Sequence, residues 1–221
     1  MSIKEKVEEI QTNLPKNVTL IAVSKTRTLD EIKEVYNAGI RIFGENKVQE
    51  LIDKIENADF EAEWHLIGHL QTNKVKYIAG KVELIHSLDS IKLLNEIEKV
   101  YSKKSLTAKV LIQINIGEEE SKTGINLSEL ESIVQASEDC KNVKVMGLMA
   151  VIPQGNKAEC RYYFSKMNKI FLELKERKFN NIEMKYLSMG MTNDYKYAVS
   201  EGSNMVRIGE GIFGKRFYNI K

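Results

Sequence analysis

Cysteine and proline are almost absent from this chain of 221 residues, which holds only Cys140, Cys160, Pro15 and Pro153 of those two types. Two cysteines so placed match no metal-ligand or redox spacing, so a disulfide scaffold and a thiolate metal site are set aside, and two free thiols in a reducing compartment are expected. With so little proline and no Gly/Ser-rich linker, nothing marks a domain boundary, and residues 1–221 read as one domain large enough for a sizeable core. Charge of a single sign is missing as well. The 33 basic and 31 acidic residues are spread along the chain and leave a net charge of +2, which gives no electrostatic footprint for nucleic acid or an anionic membrane surface. No apolar run is long enough to span a bilayer. The segment Met1-Ser2-Ile3-Lys4-Glu5-Lys6 enters an amphipathic pattern instead of the apolar core of a signal peptide. A cytoplasmic location is expected.

What is present is repetition. Eight short β-branched runs recur, each followed by a polar loop: Val18–Val23, Ile40–Phe43, Trp64–Ile67, Val82–His86, Lys109–Asn115, Val143–Val151, Met184–Leu187 and Met205–Ile208. Helical stripes follow most of them. Thr28-Leu29-Asp30-Glu31 reads as a capping box ahead of Ile32, Val35 and Tyr36, with Gly39 as the stop. Asp89 is placed to cap a stripe of Ile91, Leu94, Ile97 and Tyr101, and Ser128-Glu129-Leu130-Glu131 reads as another capping box. Phe164, Met167, Phe171 and Leu174 mark a long helix, and Ile3, Val7 and Ile10 mark a helix before the first strand. Strands alternating with helices predict an α/β fold, a single-domain (β/α)8 barrel with an extra N-terminal helix. An open doubly wound sheet is the alternative, but no Gly-x-Gly-x-x-Gly turn follows the first strand.

A barrel carries its chemistry at the C-terminal strand ends. The first strand ends in Ser24-Lys25-Thr26. Lys25 at the rim of a buried strand has two readings. It is a lysine that snorkels to water, or an amine with depressed basicity that attacks a carbonyl carbon. The loops after strands seven and eight are where barrels often hold phosphate, and here they carry Ser188, Gly190, Met191 and Thr192, then Arg207, Gly209, Glu210 and Gly211. Turn glycines and an ordinary cap are the plain alternative. Arg207 follows Met205-Val206, so it either forms an ion pair with Glu201 or Glu210 or faces a ligand ring nitrogen from the barrel mouth. An imine-forming lysine, a phosphate cradle and a barrel arginine together describe pyridoxal 5′-phosphate. His65 and His69 span a strand end and a loop, so no metal pair is expected. Trp64 reads as packing, His86 as core or rim, and Glu118-Glu119-Glu120 as a solvated loop.

Several segments, in order along nearly the whole chain, resemble the pyridoxal phosphate homeostasis proteins. They are Ala22-Val23-Ser24-Lys25, Phe43-Gly44-Glu45-Asn46, Trp64 to Gln71 with Asn73-Lys74, Ser121-Lys122-Thr123-Gly124, Leu187 to Met191, Val206 to Gly209 and Ile212-Phe213-Gly214. The resemblance implies an alanine-racemase-like barrel without the racemase's second, β-rich domain. It further implies a cofactor imine on Lys25, phosphate held around Ser188, Thr192 and the Gly209 loop, Arg207 near the pyridine nitrogen, and Asn46 beside the cofactor. Lys47, Thr192 and Glu210 depart from the usual pattern, and Glu210 is expected to turn its carboxylate outward. A cofactor carrier without turnover is the leading function. A weak amino-acid racemase-like enzyme is the alternative, and a Schiff-base aldolase is set aside because Lys25 follows the first strand. An arginine at the ring nitrogen leaves it unprotonated and a poor electron sink, and racemisation needs an acid/base on each face of the substrate carbon. Enzymes that use pyridoxal phosphate are candidate transient acceptors, and a monomer is expected.

Overall fold

The computed structural model describes residues 1–120 and 122–215. Ser121, from one of the resembling segments, lies outside them. Eight strands run β1 (Thr19–Val23), β2 (Ile42–Glu45), β3 (Glu63–Leu66), β4 (Leu84–Leu88), β5 (Ala108–Ile114), β6 (Val143–Ala150), β7 (Ile182–Ser188) and β8 (Met205–Ile208). They are all parallel and close in sequence order, with β8 returning to β1 through Thr19↔Met205 to Ala22↔Ile208. The expected barrel is therefore present, and the strand ends lie within two residues of the apolar runs. The differences arise because a strand is bounded by its hydrogen-bonded ladder with both neighbours, not by where its apolar residues stop.

The helices around the barrel are α1 (Ile3–Asn13), α2 (Leu29–Asn37), α3 (Val48–Asn57), α4 (Val75–Ile78), α5 (Ile91–Lys103), α6 (Leu130–Glu138), α7 (Lys157–Lys175), α8 (Tyr195–Ser200) and α9 (Glu210–Phe213). The Thr28–Glu31 capping box opens α2 as expected. Two other caps differ. Ser90, not Asp89, accepts the Leu93 N–H at the start of α5, and Asp89 instead bonds His69 Nδ1 at 2.7 Å. The capping box before α6 is Asn126 with Glu129, because Asn126 has the extended backbone a cap requires while Ser128 already lies inside a 3-10 turn, Leu127–Glu129. Among the described residues no helix is long and apolar enough to cross a membrane.

Strand parity sorts the core. Outward-facing Ala22, Phe43, Leu66, Ile85, Val110 and Leu187 join the helices in one apolar layer. Inward-facing Ile21, Leu84, Leu111, Met146, Met149 and Met205 fill the barrel as a second. Trp64 packs against Phe43 in the outer layer, with ring centroids 5.6 Å apart. Register slips by two residues between Val145↔Ile182 and Gly147↔Tyr186, where β6 meets β7. Gly147 sits at φ +141°, and a Cβ there would lie 1.9 Å from the Tyr186 carbonyl oxygen. No side chain fits without parting the two strands. Gly147→Ala is expected to cost more than about 2 kcal/mol in urea unfolding, and a loss under about 0.5 kcal/mol would show that the strand junction yields easily.

Candidate functional site

Inward parity continues past the strand ends and gathers the chemistry at one mouth of the barrel. Ile21, Val23 and Lys25 alternate with Ala22 and Ser24, so Lys25 follows Val23 into a cleft of about 530 Å³. Arg207 and Gly209 come inward from β8 by the same rule, and Met191, Thr192 and Glu210 line the cleft from the loops after β7 and β8. Glu210 is exposed at the rim. Thr192 Oγ1 accepts the Gly211 N–H at 3.1 Å, tying those two loops together.

Three of the expected site residues stand apart from the cleft lining. Gly190 lies behind it at φ +95°, where a Cβ would come 2.6 Å from that of Ala198. Ser188 is fully buried inside the barrel, and its hydroxyl meets Arg207 and His86. Asn46 borders a separate groove with Lys47, His69 and Lys74. His65 and His69 diverge as expected: His65 is buried in the barrel, and His69 is exposed. Arg207 pairs with neither Glu201 nor Glu210 in this arrangement. Glu201 bonds Arg161, while Arg207 donates to the Ser188 carbonyl at 2.9 Å, the Ser188 hydroxyl at 2.7 Å and the Ala150 carbonyl at 2.9 Å. Burial pulls its guanidinium down to about 10, against the opposing effect of Asp194, so it stays charged at neutral pH.

The turn that carries Lys25 is held from outside the barrel. The Ser24 carbonyl accepts both the Arg27 N–H and Lys54 Nζ, and the Ser24 hydroxyl donates to Glu45. Lys54, buried on α3, also bonds Glu45 and Glu50, each at 2.7 Å. Burial pushes the Glu45 carboxyl up, while Lys54 and Ser24 act the other way. Thr26, next to Lys25, adopts φ +65°, uncommon for a β-branched residue, and its N–H donates to Glu50. The cluster therefore fixes a strained turn beside the amine, and such strain persists only where surroundings over-determine it. Lys54 escaped the sequence reading, although a lysine three residues beyond Leu51 on the apolar face of α3 was its signal. The loop after β6 also escaped it. Gln154, Gly155 and Lys157 line the cleft together with Cys160 and Tyr197. Burial, followed by the charges of Asp194 and Glu159, raises the pKa of the Cys160 thiol and so disfavours its thiolate.

His86 resolves as core. It is fully buried, and burial, followed by its neighbours His65 and Arg207, holds its pKa well below 6.5. It is neutral in the fold, whereas the unfolded chain takes up a proton near the ordinary value. Stability from this residue is thus intact above pH 6.5 and lost as pH falls below it, by at most about 1.4 kcal/mol per pH unit. His86→Asn, which cannot titrate, is expected to flatten the fall in stability between pH 7 and pH 5 by about 2 kcal/mol relative to the parent chain, as read by urea unfolding. Parallel curves would show that His86 does not carry this dependence.

The family model "Alanine racemase, N-terminal domain" matches residues 1–216. A pyridoxal phosphate homeostasis protein of Aquifex aeolicus is 44% identical over 201 residues, covering 90% of this chain and 87% of the relative. That of Escherichia coli strain K12 is 37% identical over 227 residues, covering 99% and 96%. The solved structure of PipY from Synechococcus elongatus with PLP bound superposes with a TM-score of 0.88 at 32% identity, covering 96% of this chain and 100% of PipY. The alanine racemase of Clostridium difficile shares the fold, with a TM-score of 0.77 at 13% identity over 60% of its length. Covered along nearly its whole length by both kinds of match, the chain belongs to the pyridoxal phosphate homeostasis proteins, a family built on the alanine racemase N-terminal domain.

Proposed function

We propose that this protein binds pyridoxal 5′-phosphate reversibly, holds it as a Schiff base on Lys25, and keeps the supply of free cofactor in balance without turnover of a substrate. The observation that carries this reading is that the inward parity of β1 and β8 puts an amine and a buried, charged guanidinium on the same cleft. The chemistry of the lining fits the group. Lys25 would supply the amine, Thr192 and the Gly209 loop would receive the phosphate, and Arg207 would face the ring nitrogen. Bound there, the cofactor supplies an electrophilic carbonyl carbon and a conjugated ring. A cation facing the ring nitrogen opposes its protonation, which disfavours carbanion chemistry and favours holding over turnover. PipY, with PLP bound, and the relatives' names support the same reading. Release to enzymes that use the cofactor fits an open cleft.

A racemase-like side activity draws on one observation. Tyr197 lines the same cleft as Lys25 and could act as an acid/base opposite the amine. Exchange of the amino-acid α-proton with deuterated water separates the two readings, since a carrier leaves that proton in place.

Borohydride reduction of the protein mixed with pyridoxal phosphate, followed by peptide mapping, is expected to place the pyridoxyl group on Lys25. An adduct scattered over surface lysines, or none, would overturn the cofactor reading. Lys25→Ala should abolish the adduct and leave weaker, non-covalent binding.

Thr192→Val removes the hydroxyl that ties the two phosphate-side loops and should weaken cofactor retention about tenfold, the weight of one hydrogen bond to a charged group, while Thr192→Ser should retain it. Equal retention by the valine variant would move the phosphate elsewhere.

A further inference from the structure

Barrel interiors of this type are ordinarily filled by branched aliphatic side chains. Here one side of the interior is polar from mouth to mouth. Glu63, at the start of β3, lies at the lower mouth with its side chain 44% exposed, and its Oε1 is 2.8 Å from His65 Nε2. His65 Nδ1 is 3.0 Å from His86 Nε2. His86 Nδ1 is 3.1 Å from Ser188 Oγ, which accepts from Arg207 Nη1 at 2.7 Å. Between the exposed carboxylate and the cleft, His65, His86, Ser188 and Arg207 are all buried, with at most 4% exposure. No bond in this chain is missing.

The two ends fix its direction. A guanidinium can only donate, so Ser188 Oγ accepts from Arg207. The bond from His65 holds the Glu63 carboxyl below its ordinary value, so it is ionised and can only accept. With both rings neutral, one assignment satisfies every link. His65 carries its hydrogen on Nε2 and gives it to Glu63, His86 carries its own on Nε2 and gives it to His65, and the Ser188 hydroxyl donates to His86. Every hydrogen then points toward Glu63 and every lone pair toward Arg207. Aligned dipoles of this kind polarise one another and stabilise the cation at the head of the row. With His86 turned to its other tautomer, Ser188 would face two donors and its own hydrogen would lose its acceptor.

We propose that Glu63, His65, His86 and Ser188 form a one-directional hydrogen-bond relay through the barrel that holds Arg207 in place at the cofactor cleft. Ser188 is thereby a positioning residue for the arginine. The proposal rests on the cofactor reading for its consequence at the ring nitrogen, but not for its polarity.

Polarity is read without cofactor. The chain has three histidines, His65, His69 and His86, so imidazole nitrogen NMR of the full-length protein at pH 7.5 is simple to assign with a His69→Asn variant. Both buried rings are expected as the Nε2–H tautomer. An Nδ1–H ring at either position, or fast exchange between forms, would overturn the relay. Glu63→Ala changes only the exposed end and should release His65 and His86 from the single tautomer. Unchanged tautomers would remove Glu63 from the chain.

The consequence is read in the visible absorption of the bound cofactor. His86→Phe and Ser188→Ala should move the band of the parent protein and weaken cofactor retention about tenfold, whereas His86→Asn, which keeps an acceptor near the place of Nδ1, should lie closer to the parent. A purely structural role would lower the melting temperature of all three and leave the band in place, and that result would overturn the positioning role. Should His86→Phe not fold, Ser188→Ala decides. A parent protein that takes up no pyridoxal phosphate would sink the cofactor reading and with it the positioning role, while the NMR result alone would still decide the polarity.

Discussion

A guanidinium buried inside a barrel is the constraint around which this structure is arranged. Only 4% of Arg207 is exposed, so water does little to solvate it, and an uncompensated charge in such a place would be lost to deprotonation or unfolding. The strands compensate it with backbone. Carbonyl groups of Ala150 and Ser188, at the ends of β6 and β7, accept from it alongside the Ser188 hydroxyl. Those acceptors exist only because β6, β7 and β8 are neighbours in a closed sheet. The barrel is thus the solvation shell of its own arginine. The charge survives burial, with its pKa still near 10.

The same logic holds on the far side of β1. Lys54 has its ammonium surrounded by Glu45, Glu50 and the Ser24 carbonyl, and the turn that presents Lys25 hangs from this cluster. Two buried cations therefore flank the cleft without pointing into it in the same way. Arg207 lines it, while Lys54 stands behind it and shapes the backbone. Replacing either by an apolar residue would leave different damage: empty carbonyls in one case, and a buried carboxylate without its counter-ion in the other.

The alanine racemase of Clostridium difficile, which shares the fold, is a longer protein of which this chain covers about 60%. Tyr197 is one of the cleft groups with the chemistry for a proton transfer, beside Lys25, Asp194 and Glu210, and it lies on α8, close to the loop that carries Thr192.

How much of this was legible in the sequence follows from range. Alternation of apolar and polar residues is local, so the eight strands, the helices between them and the barrel could be read from it, as could Lys25 and Arg207 at strand ends. Glycine in the loops after β7 and β8 marked where a phosphate could sit. Partnerships were not legible. Asp89 has the chemistry of a cap, yet it bonds His69, and Ser90 caps instead, because a cap is chosen by backbone conformation and by what else competes for the carboxylate. Ser188 has the hydroxyl of a phosphate ligand, but closure of the sheet puts His86 and Arg207 within its reach. The sequence by itself determined which residues face inward, since parity needs only a strand. Only the tertiary structure decided which inward residues touch, since β3, β4, β7 and β8 meet across the barrel through no rule of sequence spacing.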